Sequence, residues 1–187
     1  MSGFCLSPVE RVSKGFSLIE LMIVITIIGI GLAAGVPEFG RWLQDAKTRT
    51  IAEGLQNGIR LAQTEAVRQG RQVTFFLTDA EPAIAAPTSS AGRNWGINVM
   101  TLGNPTLAAS FVRGASMFGE AGTATVNASN AAIRFNSIGR LASPLAPVTY
   151  QINNSGGNRS LSVTVSTAGS VRMCDPSRSR ASSADGC

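Results

Sequence analysis

The sequence predicts an α+β fold: a long N-terminal helix, half membrane span and half amphipathic, packed on an antiparallel β-sheet domain. Three observations predict it. An apolar run from Phe16 to Val36 carries one charge, Glu20. Apolar residues then recur at helical spacing to Ala66, and after Gly70 the pattern changes to short alternating runs separated by Gly, Pro, Asn and Ser. Helix first and strands after is the arrangement that segregates rather than alternates the two element types.

The apolar run has the length of a membrane-spanning helix, about 20 residues. Arg11 and Lys14 precede it, so the short N-terminal segment is expected to stay cytoplasmic and the long C-terminal part to cross the inner membrane in a single pass. Val36, Pro37 and Glu38 lead straight into a helical pattern, unlike a small-residue secretory cleavage site. Pro37 lacks an amide proton and is expected to kink the helix there. Beyond it Ile51, Leu55, Ile59, Ala62 and Ala66 form one face, with Lys47, Arg49, Glu53, Arg60, Glu65 and Arg68 between them. One helix over roughly residues 17–69 is the simplest reading.

Seven segments read as strands: 71–78, 94–100, 108–113, 132–136, 148–153, 160–166 and 170–174. In 160–166, Leu161, Val163 and Val165 alternate with polar residues, which predicts one wet and one dry face, and Thr167-Ala168-Gly169 follows as a hairpin turn. The stretches 79–93 and 114–131 are turn-rich and read as loops.

Composition narrows the function. The 187 residues leave room for one ordinary domain plus a segment of another kind. Only 14% are charged, and there is no His, the commonest general base and metal ligand. Asp79, Glu81, Asp175 and Asp185 form no pair with acid and base spacing. No catalytic residues, metal ligands, phosphate loop or cofactor are read from the chain. Trp42 and Trp95 read as packing or interface residues. Cys174 and Cys187 lie in the part expected to be exported, where oxidation would let them pair, while Cys5 is on the cytoplasmic side. A zinc site or catalytic thiol is the alternative, with too few ligands for the one and no base for the other.

Glu20 is the anomaly, because a charge within hydrocarbon costs roughly 2.5–3.5 kcal/mol on insertion scales. The stretch KGFSLIELMIVITIIGIGLAAGVPEF (residues 14–39) resembles the N-terminus of type IV pilins and of the pseudopilins of type II secretion. The resemblance implies cleavage between Gly15 and Phe16 by a prepilin peptidase, N-methylation of Phe16, and loss of residues 1–15 as a leader. It divides the chain into leader 1–15, transmembrane and assembly helix 16–37, amphipathic helix 38–70 and periplasmic domain 71–187. It also gives Glu20 an assembly role: the new amine on Phe16, in the same or a neighbouring subunit, would offset the buried carboxylate. The bland alternative is an acid snorkelling to lipid headgroups.

Residues 55–75, 133–141 and 160–176 resemble the GspH/FimT group, which contains both pseudopilins and minor pilins. That likeness implies a minor type IV pilin that primes assembly and sits at or near the pilus tip, with other major or minor pilins as partners. Two alternatives stay open. One is a pseudopilin of type II secretion. The other is a DNA-binding subunit for natural transformation: FimT-type members carry a Gly-Arg-x-Arg motif, of which Gly169-Ser170-Val171-Arg172 keeps only the second arginine. Arg178 and Arg180 would add charge beside Arg172 for contact with phosphates.

Overall fold

The computed structural model describes residues 15–117 and 123–187. The chain divides into two units, Met1–Phe39 and Gly40–Cys187. One helix, α1 (Leu18–Gln69), contributes to both. Its first described backbone bond runs from the Leu21 amide to the Ser17 carbonyl at 3.1 Å, and position 37 is helical like its neighbours. Arg11, Lys14 and Cys5 lie outside the described residues.

Among the described residues nine strands follow α1: β1 (Val73–Thr78), β2 (Asn94–Thr101), β3 (Asn104–Ser116), β4 (Ala124–Ala128), β5 (Ala132–Phe135), β6 (Leu141–Ser143), β7 (Val148–Asn154), β8 (Leu161–Val165) and β9 (Val171–Cys174). They form two antiparallel sheets, ordered β3-β2-β1-β5-β6 and β4-β7-β8-β9. Each segment read as a strand coincides with or overlaps one. Two strands were not expected: β4 lies inside the presumed loop 114–131, and β6 has three residues. Segment β3 also extends past the expected 108–113 at both ends. The stretch 79–93 holds no strand, as expected.

The apolar stripe of α1 closes the core. Ile51, Leu55, Ile59, Ala62 and Ala66 are buried in one cluster with Phe75, Val99 and Phe135 from the first sheet and Val126, Tyr150 and Val163 from the second. Burial of each large side chain among them is worth about 1.5–3 kcal/mol. Between Leu55 and Ile59 the stripe carries Gly58, where an added Cβ would stand 3.1 Å from both Phe75 and Trp95. The missing side chain lets the helix approach the Phe75–Trp95 stack, whose rings lie 5.7 Å apart. Phe75 also meets Tyr150 edge-on at 6.1 Å, which joins the two sheets. Burial pushes the Tyr150 phenol far above its usual range.

The expected wet face of β8 is covered. Ser162 is buried and Thr164 half-buried, because Cys174 and Arg172 stand opposite them on β9 and anchor the C-terminal segment over that face. The turn after β8 forms as read: the Gly169 amide donates to Ser166 at 2.9 Å, with Gly169 at φ +88°.

Candidate assembly and interaction sites

The N-terminal unit presents an uncovered apolar surface. The large apolar side chains described from Phe16 to Val36 are exposed, Phe16 by 80%. Scattered exposed apolar residues need no explanation, but a continuous surface of this kind marks membrane or protein contact. Within it Thr26 donates to the Met22 carbonyl at 2.7 Å, so its hydroxyl is satisfied inside the helix. Glu20 sits in the first turn, where unpaired backbone amides favour a carboxylate. The local fold thus tolerates the acid without requiring it. By length and composition, α1 is the one candidate span among the described residues.

At the other end of the chain, Cys174 and Cys187 form a disulfide with Cα atoms 5.1 Å apart. The end of the loop it closes is bonded back to Arg172 of β9 and to Asp175 just after it. Asp175 bridges Gly186 in parallel, its amide donating to the Asp185 carbonyl at 2.7 Å. Arg172 donates to the carbonyls of Ala184 at 2.8 Å and Gly186 at 3.1 Å. Replacing Cys174 and Cys187 by Ser in the full chain is expected to remove about 3 kcal/mol, the loop-closure entropy of a ring of this size. Thermal melts would read the loss, and an unchanged midpoint would refute a stabilising role.

Three charges of this loop, Asp175, Arg178 and Asp185, are paired. Arg178 meets Asp185 at 2.8 Å and Asp175 at 3.8 Å, and Arg159, before β8, reaches the same two carboxylates at 3.9 and 3.8 Å. The Ser177 hydroxyl beside Asp175 holds its carboxyl below the ordinary range, with Arg178 and Arg159 contributing. Ser183 does the same for Asp185, aided by Arg178. The three arginines singled out in the sequence therefore stand apart in role. Arg172 fastens the loop and Arg178 is neutralised within it, while Arg180 makes no hydrogen bond or ion pair among the described residues.

Other polar anchors gave no signal in the sequence. Gln63 on α1 donates to the carbonyls of Gly139 at 2.7 Å and Gly169 at 3.0 Å, clasping two turns from different sheets. Asp45 accepts from the amides of Asn158 at 2.9 Å and Arg159 at 3.0 Å, tying α1 to the β7–β8 loop. Polar residues on a helix look alike until the loops they meet are placed. No group of carboxylates and cysteines able to hold a metal ion occurs among the described residues.

Comparison with known proteins agrees with these features. The family model for the type II transport protein GspH matches residues 52–181, and the prokaryotic N-terminal methylation motif matches residues 11–36. A fimbrial protein of Pseudomonas aeruginosa is 34% identical over 69 residues, which cover 36% of this chain and 44% of that protein. The chain thus spans less than half the length of that relative. The crystal structure of the type IV minor pilin FimU of Pseudomonas aeruginosa superposes with a TM-score of 0.54 at 22% identity, covering 71% of this chain and 92% of that one. The minor pseudopilin EpsH from the type 2 secretion system of Vibrio cholerae gives 0.49 at 12% identity, covering 71% and 99%. The fold is that of FimU, a long N-terminal helix followed by antiparallel sheets. Since the GspH model accounts for more than half of the sequence, the protein belongs to the GspH family of pilin-like proteins.

Proposed function

We propose that the protein is a minor type IV pilin that primes pilus assembly and sits at or near the tip. It is cleaved between Gly15 and Phe16, methylated on Phe16, and held in the inner membrane by residues 16–37 with its C-terminal domain in the periplasm. The prepilin peptidase and the other pilins are its partners. What carries the reading is the uncovered apolar helix, with its acid in the first turn, joined to a β domain of the FimU fold.

The test is the location of the tagged full chain in its host. Recovery from sheared surface fibres at low abundance, with fewer fibres when the gene is deleted, is the expected result. A second reading, a type II secretion pseudopilin, is favoured by the description of the matching family. It predicts intact fibres after deletion and a defect in protein secretion instead. The DNA-uptake alternative has less support, since Arg172 and Arg178 are engaged within the chain.

A further inference from the structure

The face of the first sheet turned away from α1 carries a row of polar groups without partners. Asn98 on β2, Thr74 on β1 and Arg134 on β5 stand directly opposite one another in register, and so project from the same face. Thr74 Oγ1, Asn98 Oδ1 and Arg134 Nε are all buried and unpaired. The Asn98 amide is fixed in orientation, because its Nδ2 donates to the Ile84 carbonyl at 3.1 Å. Gln72, on the same face, adds a fourth unpaired atom, Oε1. Arg134 makes no ion pair among the described residues. Native proteins satisfy nearly all buried polar atoms, so four on one sheet face ask for an absent partner.

A groove gives a partner room over Asn98 and Thr74, with Arg134 next to Thr74 in register beyond its lining. Thr74 and Asn98 line a groove of about 410 Å³, walled by Ile84 and Thr88 on one side and by Thr106 and Leu107 of β3 on the other. Ile84 is 45% exposed and Leu107 57%, so its rim is apolar. The row from Asn98 to Arg134 crosses two inter-strand gaps, about 10 Å, the length of roughly three residues of extended chain. Amide acceptors would repel a phosphate backbone but accept from peptide N–H groups, and an unpaired guanidinium selects a carboxylate.

We propose that this face holds an extended segment of a neighbouring protein subunit, with an Asp or Glu set against Arg134 and amide donors over Thr74 and Asn98. The source of the segment rests on the subunit reading above, whereas the chemistry of the groove does not.

The test uses the full chain in detergent and a dye-labelled, end-blocked decapeptide of alternating Asn and Thr with one central Asp, read by fluorescence anisotropy. The control peptide has Asn in place of that Asp. The acidic peptide is expected to bind at least tenfold more tightly than the control, and Arg134→Gln should erase the difference while Arg134→Lys keeps part of it. Equal binding of the two peptides to the wild type, a difference that survives Arg134→Gln, or displacement of the peptide by a DNA duplex would overturn the proposal. Discrimination by the wild type needs no substitution, so a misfolded variant leaves the test intact. Failure here with normal recovery of the chain from fibres would remove the groove alone. Peptide binding by a chain absent from fibres would remove the pilin reading instead.

Discussion

Glu20→Leu is expected to lower recovery of the chain in sheared fibres at least tenfold while leaving its membrane fraction and the melting of its β domain unchanged. Leucine removes the charge that opposes insertion, so a defect cannot be assigned to failure to enter the bilayer. Nor can it be assigned to folding, because Glu20 belongs to the Met1–Phe39 unit while the core lies in Gly40–Cys187. What leucine cannot do is meet an amine. A buried ammonium left without its carboxylate costs several kcal/mol, and about 1.4 kcal/mol is already tenfold in an equilibrium. Glu20→Gln keeps the shape and loses the charge, so it should fail nearly as badly. Normal incorporation of either variant would remove the assembly role proposed for this acid and leave it as a residue favoured by the helix N-terminus.

Gly169→Ala is expected to destabilise the β domain by about 3 kcal/mol, and Gly70→Ala by about 1 kcal/mol. Both glycines have positive φ, +88° and +63°. At Gly70 an added Cβ meets nothing within 4 Å, so only the backbone preference is lost. At Gly169 the Cβ would stand 2.2 Å from the Gly139 carbonyl oxygen and 2.6 Å from Gln63 Nε2. The turns at 139 and 169 would have to separate, and the Gln63 clasp on both carbonyls would open with them. For a domain of this size the excess corresponds to a midpoint lower by roughly 4–8 °C than that of the Gly70 variant. Equal melting of the two variants would mean that the turns part without cost.

Much of this architecture was legible because periodicity survives translation into space. The stripe Ile51, Leu55, Ile59, Ala62, Ala66 is buried as read, and strands rich in β-branched residues fall where alternation put them. Strand β4 escaped because ATVNA offers one large apolar side chain, Val126, and two alanines, a composition that elsewhere makes loops. The partial covering of the outer face of β8 escaped for a different reason. Ser162 and Thr164 read as solvent-facing, and only the return of the C-terminal loop, fastened by Arg172, covers them. The role of Arg172 is itself a product of that return. Of the unpaired row on the first sheet, Thr74, Asn98 and Arg134 are scattered over three segments and become neighbours only through strand register.

The order of the strands bears on when the molecule can fold. Val73–Thr78 is flanked by β2 and by β5, and the latter ends at Phe135, while the second sheet is completed only at Cys174. A chain synthesised from its N-terminus therefore has its whole helix, apolar stripe included, before the strands that cover that stripe exist. Pairings so distant in sequence form slowly, and exposed apolar surface invites aggregation in the interval. Under the membrane topology proposed above, the domain needs nearly all of its length on one side before it can close, so translocation is expected to deliver an unfolded chain and folding to follow it.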